Sequence, residues 1–297
     1  MISEYDASKL SKDGYRVLCD DQNITLPSGE VITNGTSFRN AFHLRDTGSV
    51  DAFVPCGGRP ASIDLITVNR LIKGGKSIIP YLVEGANLCI TQEAKLRLED
   101  AGCILYKDAS TNKGGVTSSL EVLASLSFDD AGFIENMCVG ADGEAPQFYK
   151  DYVEEVQLKI QENARLEFEA IWREHEETGI ARSILSDKLS VAITDLDENL
   201  QHSNLWDNEK IRLSVLKDAL PAPLLQKIGL ETMVCLIPES YLRSIFGSYL
   251  ASRFVYQFGS SPTQFAFYDL SVYPRTPLLN IRMLTGGNSM SKRMARA

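Results

Sequence analysis

The sequence predicts an α/β protein: an incomplete parallel sheet followed by an α-helical C-terminal region. Three observations point there. Up to about residue 127, short apolar runs alternate with turn residues and helical stretches, the pattern of parallel βαβ units. The strand candidates lack polar alternation, which predicts a sheet covered on both faces. From about residue 146 onward, apolar residues recur at helical spacing over long stretches. The organisation expected is therefore a sheet-forming portion over 1–127, a linker loop over 128–146 rich in Asp, Gly and Ala, and a helical region over 147–297.

In the first portion, Tyr15 to Cys19 and Ile24 to Leu26 offer an irregular strand or hairpin. Val50 to Pro55 is a strand candidate ending in Cys56-Gly57-Gly58. Ser62 to Ile72 follows, with Ile63, Ile66, Val68 and Leu71 near helical spacing. Ile78 to Val83 is a second strand, closed by Glu84-Gly85-Ala86-Asn87. Thr91 is placed to cap a helix through Leu98 that stops at Gly102. Cys103 to Tyr106 is a third strand, and Asn112-Lys113-Gly114-Gly115 leads into a helix from Val116 to Leu126. Three such strands look like half of a larger sheet.

In the helical region, Pro146 opens a helix reaching Glu177, with Phe148, Tyr152, Val156 and Ile160 at i+4 spacing. A second helix covers Ile184 to Leu200, and shorter ones lie around Ile211 to Leu216 and Leu224 to Ile228. Pro238 opens the last, which Gly259 ends. These stripes read as core. Glu154, Glu155, Glu174, Glu176 and Glu177 read as a solvated helix face.

Composition narrows the function. The 297 residues carry a formal net charge of −9, which disfavours a nucleic-acid partner. The basic cluster Lys292, Arg293 and Arg296 reads as a frayed tail. Six cysteines without a CxxC pair and three scattered histidines predict reduced thiols and no metal site. No run approaches the roughly 18 apolar residues that would span a bilayer. The acidic start of the chain is neither a signal nor a transit peptide, so Asn23-Ile24-Thr25 and Asn34-Gly35-Thr36 read as chance glycosylation sequons.

Three segments fall where parallel strands end, the edge at which such sheets bind ligands. In Pro55-Cys56-Gly57-Gly58-Arg59 the glycines leave backbone open to a close approach, although a tight turn alone would use them too. In Glu84 to Asn87 the small residues leave room, and Asn87 carries a donor and an acceptor suited to a carboxamide or a sugar hydroxyl. A local Asx turn is the plainer use. Asp108 to Ser119 combines a polar loop, two glycines and a hydroxyl-rich first helical turn, which suits an anionic group as well as it suits ordinary capping. No G-x-G-x-x-G turn exists in the chain. Lys73 to Ser77 lacks the first glycine of a P-loop and is set aside.

Taken together and in order, Val54 to Gly58, Glu84 to Asn87 and Asn112 to Ser119 resemble the glutamate dehydrogenases. The strings EGANLCITQEAKLRLE, KDASTNKGGVTSSLEVLASL and PESYLRSIFGSYLASRFVY are similar to the large NAD-specific enzymes of fungi. The resemblance extends over nearly the whole chain and implies a Rossmann-like cofactor domain that is present only in part. It implies that Cys56 and Gly57 lie along the adenosine side of NAD. Asn87 and Asn112 would hold the nicotinamide ribose and carboxamide region. A serine at the helix start would meet the side-chain carboxylate of the substrate, L-glutamate or 2-oxoglutarate. Because Ser119-Leu120-Glu121 has one residue fewer than the compact family members before the acidic residue, both Ser118 and Ser119 qualify.

The catalytic Lys and Asp of the family have no counterpart here, so no catalytic residue is assigned, and the chain alone is expected to show no glutamate-dependent NAD reduction. The resemblance further implies a homo-oligomer in the cytoplasm. Two other readings stay open: a non-catalytic nucleotide-binding or oligomer-modulating fragment, and a dehydrogenase for another amino acid.

Overall fold

A computed structural model describes residues 6–45, 50–57, 59–112 and 119–262. The expected features at Gly58, Lys113 to Ser118 and the C-terminal basic cluster lie outside the described residues. The chain forms two compact units, residues 1–112 and 113–297.

The first unit begins with an antiparallel hairpin, β1 (Gln22–Thr25) and β2 (Val31–Asn34), in which Ile24 pairs with Ile32. Tyr15 to Cys19 is not a strand. The Asp21 carboxylate accepts the Leu18 N–H at 2.7 Å, which turns the chain just before β1. The partner strand instead lies beyond the turn at Gly29, whose φ of +86° suits a residue without Cβ. Asn34 then caps the short helix α1 (Gly35–Ala41), its side chain accepting the Ser37 N–H at 2.8 Å.

Strand β3 (Ala52–Phe53) follows. The helix expected over Ser62 to Ile72 does not form as one. Ile63 is held extended by a parallel bridge to Ile90, its N–H donating to the Cys89 carbonyl at 3.1 Å. Only then does the Asp64 carboxylate start a turn, by accepting the N–H groups of Ile66 and Thr67 at 3.0 and 2.8 Å. A single 3-10 turn over Val68–Leu71 follows, then a tight hairpin of β4 (Ile72–Lys73) and β5 (Lys76–Ser77). Gly74 and Gly75 supply its positive φ angles, so the glycines of Lys73 to Ser77 serve a turn. The apolar spacing still reports burial, since Ile63, Val68 and Leu71 are enclosed. Ile66 departs from it and is 81% exposed.

Strand β6 (Tyr81–Val83) lies between β3 and β7 (Ile104–Tyr106), parallel to both. Helix α2 (Gln92–Asp100) connects β6 to β7. It starts at Thr91, whose hydroxyl accepts the Ala94 N–H, and Gly102 adopts φ +86° just beyond its end. The turn α3 (Asp108–Thr111) closes the unit. Leu82 and Leu105 point into a core with Ile63, Val68, Ile90 and Leu98. The face opposite Leu82 is covered in part: Tyr106 is buried there, while Tyr81 and Val83 are 47% and 36% exposed in this chain.

The second unit is helical: α4 (Ser119–Ser127), α5 (Asp130–Met137), α6 (Gln147–Thr178), α7 (Arg182–Gln201), α8 (Glu209–Ala219), α9 (Ala222–Ile228), α10 (Leu230–Leu236) and α11 (Glu239–Phe258). Helix α5 stands inside the segment expected as a linker, where the Asp129 side chain caps it by accepting the Gly132 N–H at 2.7 Å. Leu123 and Ala124 of α4 are buried in the same core as Leu200, Leu216, Met233, Phe246 and Leu250. By compactness, then, α4 goes with the helices. Gly179, in the left-handed conformation, ends α6.

Helices α6 and α11 are tied by polar contacts. The Tyr256 hydroxyl donates to the buried Glu167 carboxylate at 2.7 Å, and the Arg173 guanidinium donates to the Tyr256 carbonyl at 2.9 Å. Glu174 accepts the Ser260 N–H at 3.0 Å, so this member of the expected solvated face has a structural partner.

Burial, reinforced at Tyr256 by the neighbouring Glu167 carboxylate, pushes the Tyr152 and Tyr256 phenols well above their ordinary range. In the unfolded chain they ionise near pH ~10. Their contribution is therefore complete below that pH and is lost as pH rises towards the folded values. Thermal unfolding is expected to shift downward steadily above pH ~10, with tyrosinate absorbance from these residues arriving at the unfolding transition. A midpoint that does not change through pH ~11 would contradict it.

Candidate functional site

The strands β3, β6 and β7 run parallel, so their carboxyl ends and the loops that follow share one edge. Hydrogen bonds join those loops. The Ala86 N–H donates to the Pro55 carbonyl at 2.7 Å, linking the second loop to the first. The Glu84 N–H donates to the Tyr106 carbonyl at 2.9 Å, linking the second strand end to the third. Gly85 permits the first contact, because a Cβ there would stand 3.2 Å from both the Cys56 sulfur and the Pro55 carbonyl oxygen. Cys56 and Gly57 are exposed at the rim, and a Cβ added at Gly57 would meet nothing within 4 Å.

The chain reverses after Asn87. Leu88 has φ +54°, a conformation that β-carbon sterics disfavour, and it is held there from both sides. Its N–H donates to the Asp108 carboxylate at 2.8 Å, and its carbonyl accepts the Ala61 N–H at 2.8 Å. This reversal brings Asn87 to Asn112, which follows α3. The Asn112 Nδ2 donates to the Asn87 Oδ1. Asn87 is exposed and Asn112 is half-buried. The pair keeps Asn87 Nδ2 as a donor and Asn112 Oδ1 as an acceptor, a complementary set for a second carboxamide or for ribose hydroxyls.

Beneath this pair is a buried ionic group. The Glu84 carboxylate, 0% exposed, accepts the Ile90 N–H at 2.8 Å on Oε1 and the Asp108 N–H at 3.2 Å on Oε2. The Lys95 ammonium lies 3.0 Å from Oε2 and donates to the Ile90 carbonyl at 2.6 Å. The Thr111 hydroxyl donates to the Glu84 carbonyl. Burial, with the Glu84 carboxylate nearby, pushes the Cys89 thiol up, so it is not a reactive thiolate.

Of the residues singled out from sequence, Asn87 and Asn112 are brought together, and Cys56 and Gly57 lie on the neighbouring loop. Ser119 is the first described residue of α4, in the second unit; its side chain, and the whole of Ser118, lie outside the described residues. His43 places a ring nitrogen 3.2 Å from the Ser62 carbonyl and stacks on Phe53, a packing role. Lys95, Asp108 and Thr111 were not foreseen. A signal for Lys95 was present: it shares the buried face of α2 with Ala94 and Leu98, a face on which an unpaired lysine would be costly. Among the described residues no group of His, Cys, Asp and Glu is arranged to hold a metal, and no helix is long and apolar enough to cross a membrane.

A parallel sheet whose strand-end loops converge on a carboxamide pair defines part of an α/β dehydrogenase-type domain. Residues 9–179 match the Glutamate/Leucine/Phenylalanine/Valine dehydrogenase family, and the chain belongs to that family. It is similar to the NAD-specific glutamate dehydrogenase of Neurospora crassa, at 74% identity over 91% of this chain and 26% of that protein. The probable NAD-specific glutamate dehydrogenase of Schizosaccharomyces pombe is 57% identical over 90% of this chain and 24% of its own length. The NAD-specific glutamate dehydrogenase of Saccharomyces cerevisiae is 48% identical over 87% and 24%, respectively. The chain thus spans about a quarter of the length of these curated relatives. No solved structure matches it.

Proposed function

We propose that this chain is the cofactor-side portion of an NAD-dependent glutamate dehydrogenase, which interconverts L-glutamate with 2-oxoglutarate and ammonium. The observation that carries the reading is the Asn87–Asn112 carboxamide pair at the carboxyl edge of the parallel sheet. Its remaining donor and acceptor fit the nicotinamide amide and ribose, and the open backbone at Gly57 fits the adenosine side. Bound NAD would supply the hydride acceptor. The chain's own residues bind and orient. Asn87 and Asn112 fix the plane of the nicotinamide, Cys56 and Gly57 line the adenosine side, and Ser118 or Ser119 meets the substrate side-chain carboxylate. A homo-oligomer in the cytoplasm belongs to the same reading, and the six free cysteines suit a reducing compartment.

The test uses the full-length reading frame that carries this chain. Asn87→Ala and Asn112→Ala are each expected to lower kcat/KM for NAD on the order of tenfold or more, since each removes a hydrogen bond that orients the reacting ring. Steady-state kinetics with glutamate and NAD, beside a fluorescence titration of bound NADH, would measure it. Unchanged kinetics in both variants would reject the assignment.

A further inference from the structure

The two carboxamides sit on segments far apart in sequence, and one side chain touches the supports of both. Asn87 lies within the loop that the Glu84 carboxylate closes by accepting the Ile90 N–H, six residues on, at 2.8 Å. Asn112 follows α3, whose first N–H, from Asp108, is accepted by the other Glu84 oxygen at 3.2 Å. The last residue of that helix, Thr111, donates its hydroxyl to the Glu84 carbonyl. Asp108 completes the frame by accepting the Leu88 N–H at 2.8 Å, next to Asn87. The Lys95 ammonium holds the carboxylate from the α2 side at 3.0 Å. A fully enclosed carboxylate with two backbone donors and a paired cation adopts one geometry and imposes it on its donors.

We propose that Glu84 is a positioning residue for the reaction: with Lys95 as its counter-charge, it sets the separation and orientation of the Asn87 and Asn112 carboxamides. The proposal rests on the reading of those asparagines as nicotinamide contacts. It adds that the alignment of the ring depends on a charge that touches neither cofactor nor substrate.

The neutral double variant Glu84→Gln with Lys95→Met tests this in the full-length enzyme. A glutamine offers one acceptor oxygen where the carboxylate has two, so one of the Ile90 and Asp108 N–H groups loses its partner, while no charge is left unpaired. Misalignment of the ring by a fraction of an ångström is expected to lower kcat by at least roughly tenfold while KM for NAD stays within about twofold. The kinetic isotope effect with glutamate deuterated at Cα should rise, because hydride transfer becomes slower relative to the other steps. A fall in folded fraction alone would leave that ratio where it was. Thr111→Val, which removes the tether from Thr111 to Glu84 together with a local bond to the Lys107 carbonyl within the same turn, should show the same signature more weakly, and it decides the matter if the double variant does not fold. An unchanged isotope effect, or a rise in KM without a fall in kcat, would overturn the proposal. Asn87→Ala and Asn112→Ala are measured alongside. If these slow the enzyme and the Glu84 and Thr111 variants do not, only the positioning role fails. If none of them has an effect, the assignment of the site fails with it.

Discussion

Replacing Lys95 by methionine alone should destabilise the first unit by about 3–5 kcal/mol, because it strands a buried carboxylate. The side chains of Lys95 and Glu84 are 3% and 0% exposed, so water cannot take the place of the lost ammonium. The attraction within the pair is not the measure of this loss. Much of the gain from pairing offsets the cost of removing both charges from water, and what remains after a single substitution is that cost without compensation. Removing both charges together should therefore recover much of the stability, and urea unfolding of the single and double variants would show it. If Lys95→Met moved the unfolding free energy by less than about 1 kcal/mol, the carboxylate would have to be reaching solvent, which its burial does not allow.

Phe246→Ala should have an effect of similar size on the second unit, again about 3–5 kcal/mol. The Phe246 ring is 1% exposed and meets the Trp206 indole edge-on, with centroids 5.5 Å apart. Truncation removes both the buried area and the aromatic contact and leaves a void among Leu242, Leu250 and Leu216. Trp206 gives the readout, since its emission changes when this packing is lost. The Arg243 guanidinium lies 4.9 Å from the Trp206 ring centroid, and since that side chain stays 32% exposed its removal should matter far less.

The sequence carried the helical unit well because its signals are local and redundant. Pro146, Pro238, Gly179 and Gly259 mark helix boundaries, and the apolar stripes between them are long. It carried the strand-end loops through the order of three short motifs. The stretch from Ser62 to Ile72 misled because Ile63, Val68 and Leu71 are buried at helical spacing while Ile63 is held extended by its bridge to Ile90. Pairing with a segment far along the chain leaves no mark on apolar periodicity. The Asn87–Asn112 contact had no local signal either, since it depends on Leu88 taking a positive φ and on two loops meeting in space. Glu84 was read as part of a small-residue turn; its burial follows from the neighbouring strands, which no single segment encodes.

The place of α11 at the end of the helical unit has a consequence for synthesis. It packs most extensively on α7 and also on α8 and α6, and it supplies Phe246, Leu250, Ala251 and Phe254 to the interior. Everything from α6 to α10 therefore leaves the ribosome before the helix that completes its packing. At elongation speeds of about 5–20 residues per second, Leu185 and Leu189 of α7 wait several seconds for their partner. For that interval the nascent chain presents a wet apolar groove, and a stop codon anywhere before Glu239 would make the exposure permanent.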